Sequence, residues 1–144
     1  MKKLVSVLLF FAFQPAFGIT ENEVQNAIKE AGGPDKFLMA MTKSLASQAP
    51  LVLDSETTLV SAVSFGVDAH LNHQLVGVRG KFDWRGYERE QALIISHQRN
   101  KVCSGDVWSV LLNKYNASGN YRYYARNGDL LFSFSVDKKH CQKR

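Results

Sequence analysis

The side chains able to do chemistry are few in this chain and stand apart. His70 and His73 form an H-x-x-H with Asp68 nearby. On a helix that spacing places both imidazoles on one face and could hold a metal; on a strand, residues three apart point to opposite faces. A zinc site needs three or four convergent ligands, and the spacing supplies no third, so no metal is expected. Asp54 and Glu56 lie two apart, and paired carboxylates can divide acid and base roles. Their place beside Thr57 and Thr58, at the start of a β-rich run, reads instead as a turn and cap cluster. Ser104-Gly105-Asp106 reads as a helix N-cap, not a nucleophile, because no G-x-S-x-G surrounds it. His97 falls near the end of a helical stretch, where a positive charge suits the dipole. No glycine-rich phosphate loop occurs. No catalytic residue and no cofactor is therefore assigned.

Recognition has a better candidate than reaction. The run Arg79-Gly80-Lys81-Phe82-Asp83-Trp84-Arg85-Gly86 combines basic and aromatic side chains in a loop. Trp and Arg are favoured at interface hot spots, so Arg79, Lys81, Phe82, Trp84 and Arg85 are the candidate binding residues. The alternative is that Trp84 packs beneath its own loop as a satellite core. Tyr121, Tyr123 and Tyr124 offer a second aromatic patch, at least one face of which must be core.

The elements that position these residues follow from periodicity. Thr20-Glu21-Asn22-Glu23 is a capping box, predicting a helix with Val24, Ala27, Ile28 and Ala31 on one face. Gly32-Gly33 stops it, and Pro34 restarts a second helix with Phe37, Leu38, Met41 and Leu45 as its apolar stripe. Pro50 ends that helix. From Leu51 the period changes to that of strands. Thr57–Phe65 reads as β, with Leu59, Val63 and Phe65 on one side, and Leu71–Val78 reads as the next strand. Helices are expected from Tyr87 to Arg99, with Ala92, Leu93 and Ile94 toward the core, and again around Val107, Val110 and Leu111. Two runs, 121–125 and 130–136, flank Asn127-Gly128, the pair preferred in a type I′ hairpin turn. Phe132, Phe134 and Val136 alternate with Ser133 and Ser135, one face buried and one wet. These elements predict an α+β fold: an N-terminal kinked helix pair and a roughly four-stranded antiparallel sheet packed by helices on one face.

The ends of the chain set its compartment. Lys2 and Lys3 precede the apolar run from Leu4 to Phe13, and Ala16 and Gly18 are small. That is a secretory signal peptide over residues 1–18, with the cut expected after Gly18. The apolar run is about half the ~20 residues a spanning helix needs, so no retained transmembrane segment is expected. No Cys ends the run to carry a lipid. Residues 19–144 then form one α+β domain with a basic tail at 138–144, in the periplasm or beyond. Removing Lys2, Lys3 and the tail cations Lys138, Lys139, Lys143 and Arg144 from the formal +5 leaves −1 for the body. Nucleic-acid binding wants basic residues on a folded face, so no nucleic-acid partner is expected. The tail reads as a solvated frayed end, or as a weak contact with an acidic membrane or partner. Cys103 and Cys141 are the only cysteines. In an exported chain they read as a disulfide, which closes a loop of roughly 38 residues worth ~3–4 kcal/mol.

The elements Gly33-Pro34, Asp54-Ser55-Glu56-Thr57, Val102-Cys103, Gly119-Asn120-Tyr121-Arg122-Tyr123, Gly128-Asp129 and Cys141 together resemble a known pattern. It belongs to a group of small exported bacterial proteins with a central and a C-terminal Cys and a Gly-x-Tyr-x-Tyr strand. The resemblance implies export, the disulfide and an α+β fold, and it implies no reaction. Gln74-Leu75-Val76-Gly77-Val78-Arg79-Gly80 departs from it, standing where the group has an aromatic-rich second strand.

The function expected from sequence is that of a small exported protein-binding module, of accessory, inhibitor or immunity type, with a protein partner in the cell envelope. Two alternatives stand beside it. One is a component or accessory of a bacterial secretion or conjugation apparatus. The other is an extracytoplasmic enzyme acting on cell-wall material.

Overall fold

The computed structural model describes residues 19–142; the leader assigned to residues 1–18 and the final two basic residues lie outside them. The capping box forms as its residues dictate. Thr20 Oγ1 accepts the Glu23 amide at 3.3 Å, and the Glu23 carboxylate accepts the Thr20 amide at 2.8 Å. Helix α1 (Glu21–Glu30) follows. Gly33, at φ +123°, takes a conformation that side chains rarely adopt and aims Pro34 into the first turn of α2 (Pro34–Ser47). Val24, Ile28, Phe37, Leu38 and Met41 are buried together, and Val107, Val110 and Leu111 close this half of the core from α4 (Asp106–Tyr115).

The sheet runs in the order β1-β2-β3-β4-β5. Its strands are β1 (Leu51–Val52), β2 (Thr57–Phe65), β3 (Asp68–Leu75), β4 (Ser118–Tyr124) and β5 (Leu130–Val136). Helices cover one face, as expected for α+β. The sheet has five strands among the described residues, and it departs from the expected roughly four-stranded antiparallel sheet in one respect: β3 pairs with β4 in parallel. Between those two the chain crosses through α3 (Glu88–Ser104) and α4, and a helical crossover returns the chain in its original direction. The other pairs are antiparallel.

The inward set of β2 also differs. Leu59 and Ala62 are buried, while Val63 is 43% and Phe65 66% exposed. The β2–β3 register slips between Leu59 and Ser61, so Val60 is an extra residue. A bulge of one residue reverses the alternation downstream. On β3, Ala69, Leu71, His73 and Leu75 point inward without interruption. In α3 the buried side falls on Val102, with Ile94 and Ile95 packed against the core; Ala92 and Leu93 face water, Leu93 at 61% exposure. Leu112, Tyr121, Tyr123, Phe132 and Val136 complete the second half of the core, and Trp108 packs against both halves.

The disulfide forms between Cys103 and Cys141, with Cα atoms 5.3 Å apart. It fastens α5 (Lys138–Cys141) to the end of α3. The described part of the tail is thus not frayed. Asp137 caps the short helix through Lys139 N–H at 2.9 Å, and Lys138 Nζ donates to Asn116 Oδ1 at 2.6 Å.

Candidate functional site

Strand β3 ends at Leu75 rather than Val78, which frees residues 76–80 to meet the β4–β5 hairpin. Arg126 N–H donates to Val78 O at 2.8 Å and Asn127 N–H to Arg79 O at 3.1 Å. Asp129 Oδ2 accepts both Lys81 N–H, at 3.0 Å, and Asn127 Nδ2, at 2.9 Å. Those bonds hold the Asp129 carboxyl below the usual carboxylate range. A Cβ on Gly80 would stand 2.9 Å from Asn127 Nδ2, so the two loops approach as closely as a glycine permits.

The hairpin turn is accordingly not type I′. Only Gly128 has positive φ, at +90°, and Asn127 does not. Gly128 N–H donates to Ala125 O at 3.0 Å, and Ala125 N–H to Asp129 O at 2.9 Å. This is a wider turn with Gly in the left-handed position. Asn127 Oδ1 accepts the Asp129 amide at 3.0 Å, and the Asn127 N–H is directed at Arg79 instead of across the hairpin.

From this anchor the chain winds through a 3-10 turn, Lys81–Trp84. Asp83 Oδ2 accepts Arg79 N–H at 3.1 Å and Arg79 Nε at 3.2 Å. Trp84 is half-buried and stacks between Tyr87, at 5.4 Å, and Phe132, at 5.6 Å. Phe132 stacks on Tyr123 at 4.8 Å, and Tyr123 on His73 at 4.7 Å. A column of parallel rings therefore runs from the core to the surface beneath the loop. Above it, Phe82 is 78% exposed, and the Arg85 guanidinium lies 4.7 Å from its ring centroid.

The five candidate residues thus divide. Trp84 is a pedestal packed on Phe132, Arg79 is tied to Asp83, and Lys81, Phe82 and Arg85 face solvent. Sequence reading missed Tyr87, 46% exposed beside Trp84, and Leu130, 47% exposed at the start of β5. It also missed that Asn127 and Asp129 hold the loop; their only sequence signal was that of a turn.

The reactive candidates stay dispersed. His70 and His73 point to opposite faces of β3: His70 meets Phe65 edge-on at 5.4 Å on the open face, and His73 is buried. Asp54 Oδ1 accepts the Glu56 amide at 2.8 Å in an exposed turn. Ser104 does not cap α4; its hydroxyl donates to Asn100 O at 2.7 Å, and Gly105 occupies the cap. Tyr121 and Tyr123 are core rings whose burial pushes their hydroxyls up in pKa, Tyr121 to about 12. Among the described residues, no group of three metal-ligating side chains converges. An open depression of about 420 Å³ lies between Ile28, Pro34 and Tyr115 at the α1–α2 kink.

Asp129→Ala tests the anchor. It removes the acceptor of Lys81 N–H, so exchange of that amide should accelerate at least about tenfold while core amides keep their protection. Hydrogen exchange read residue by residue checks it.

No protein-family model and no curated protein matches the chain. Solved structures do share its fold. The EpsS pilotin of the Vibrio vulnificus type 2 secretion system aligns over 81% of this chain and 96% of its own, with a TM-score of 0.61 at 14% identity. A Pseudomonas aeruginosa protein described as secreted aligns over 88% and 100%, with a TM-score of 0.59 at 11% identity. The type II secretion pilotin AspS of Vibrio cholerae aligns over 79% and 94%, with a TM-score of 0.55 at 15% identity. At these identities the likeness is one of fold. Among the described residues no helix is long and apolar enough to cross a membrane.

Proposed function

We propose that this chain is an exported, non-catalytic accessory of an envelope secretion apparatus and works by binding a protein component of that apparatus. The observation that carries the reading is the fold shared with two type II secretion pilotins, over 96% and 94% of their lengths. The dispersal of its reactive side chains agrees with it, as does a loop, anchored to the hairpin at 78–81, that presents Phe82 and Arg85 to solvent. Export rests on the leader at residues 1–18, with cleavage after Gly18. The loop residues Arg79, Lys81, Phe82, Trp84 and Arg85 are the proposed contact, with Trp84 supporting the others from below.

Deleting the gene should lower both the amount of assembled apparatus in the envelope and the release of its secreted substrates, and a plasmid copy should restore them. Unchanged secretion, together with a stable complex between this protein and a soluble toxin or enzyme, would overturn the reading in favour of an inhibitor or immunity role.

A further inference from the structure

We propose that the surface made by Lys81, Phe82 and Arg85 docks an acidic segment of a protein partner, which sets an apolar side chain on the Phe82 ring and carboxylates against Arg85 and Lys81. This rests on the accessory reading above and gives its partner a chemistry. Three observations lead to it.

The first is charge. Residues 79–86 carry Arg79, Lys81 and Arg85 against Asp83 alone, a local +2 on a body whose formal charge is −1 once the leader and tail cations are set aside. Asp83 is already occupied by Arg79, and neither Lys81 nor Arg85 enters an ion pair among the described residues. Asp129, the other carboxylate at the loop, accepts Lys81 N–H and Asn127 Nδ2, and its charge acts on Lys81. The positive charge of Arg85 is therefore left for a partner. Glu88 and Glu90 stand in the first turn of α3, just after this basic loop in sequence, and disfavour an acidic segment running over that helix end.

The second is the pairing of Arg85 with Phe82. A solvent-exposed Phe is costly to hydration, yet this one is 78% exposed with a guanidinium over its face. Stacking on the ring leaves the edge N–H groups of the guanidinium for a carboxylate, the bidentate geometry that gives Arg contacts their strength. An apolar side chain beside that carboxylate would cover the ring.

The third is preorganisation. The loop is fixed by backbone bonds to the hairpin and by the ring column under Trp84. Backbone ordering at 78–81 is already complete, so binding costs mainly the side-chain freedom of Lys81, Phe82 and Arg85.

The probe is a capped, fluorescein-labelled ten-residue peptide with glutamates flanking a leucine pair, titrated by anisotropy against the exported protein with its disulfide intact. A peptide with Lys in place of each Glu is the control. The Glu peptide should bind and the Lys peptide should not. R85E and F82A should each weaken binding about tenfold or more, and raising salt should weaken it further. Both positions are exposed, so unchanged melting temperatures confirm that the variants fold. Equal binding of both peptides, no binding of the Glu peptide, or indifference to R85E each overturns the inference. Capture of the protein by phosphatidylglycerol vesicles, with no peptide binding, overturns it in favour of an anionic lipid surface. The two proposals fail separately: if deletion impairs secretion but R85E complements fully, the accessory reading stands and this surface does not; if peptide binding holds while deletion leaves secretion intact, the reverse is true.

Discussion

Replacing both Cys103 and Cys141 with Ala should lower the unfolding free energy by about 3–4 kcal/mol. The bridge joins residues 38 apart in sequence and removes that loop's freedom from the unfolded chain. The segment it closes contains α4, β4 and β5, which supply Val110, Leu111, Tyr121 and Phe132 to the core. A domain of this size has a total stability of only ~5–15 kcal/mol, so the loss is a large share. It should also free α5 from the end of α3, leaving Lys138 without its fixed reach to Asn116. Urea unfolding of the disulfide-bonded protein, with and without reductant, measures the effect. The reduced wild type and the double Ala variant should coincide. A difference below about 1 kcal/mol would show that α5 and its neighbours hold without the bridge.

Much of the fold was legible because local chemistry and global packing agree. The Thr20–Glu23 box, Gly33-Pro34 and the stripe at Phe37, Leu38, Met41 and Leu45 specify α1 and α2 without reference to anything distant. The Phe132/Ser133/Phe134/Ser135 alternation likewise fixes the faces of β5. The departures come from partners far apart in sequence. Nothing around Val60 marks it as an extra residue; the slip exists because Leu59 must face His73 while Ala62 faces Leu71. The parallel β3–β4 pair depends on where α3 and α4 return the chain, and periodicity carries no strand direction. At the candidate site, the basic and aromatic types of residues 79–85 were visible, but their division of labour was not. Trp84 becomes a pedestal through Phe132, and Lys81 is anchored by Asp129, both nearly fifty residues away. Asn127-Gly128 signalled a hairpin correctly, yet the turn type was decided by the loop that Asn127 also serves.

His73 should make the protein acid-labile in a defined window. It is 3% exposed, packed against Tyr123 and Tyr121, and its Nδ1 has no hydrogen-bond partner. Burial, the largest cause, lowers its pKa from 6.5 to about 4, opposed by the Leu71 and Arg122 backbone and the charge of Asp54. The unfolded chain therefore binds this proton at a higher pH than the folded one. Stability from this group is complete above about 6.5 and falls as pH drops toward 4. A shift of this size is worth about 3 kcal/mol. Asp129 and Asp137, whose carboxyls are also held low, act in the same direction from the ordinary carboxylate pKa downward and equally in both proteins, so a comparison of variants isolates the imidazole. His73→Phe keeps a ring in the column and removes the titration. Between pH 7.5 and 4 it should lose about 3 kcal/mol less stability than the wild type, measured by urea unfolding at each pH. An imidazole resonance titrating near 6.5, or parallel pH profiles for the two proteins, would contradict the account.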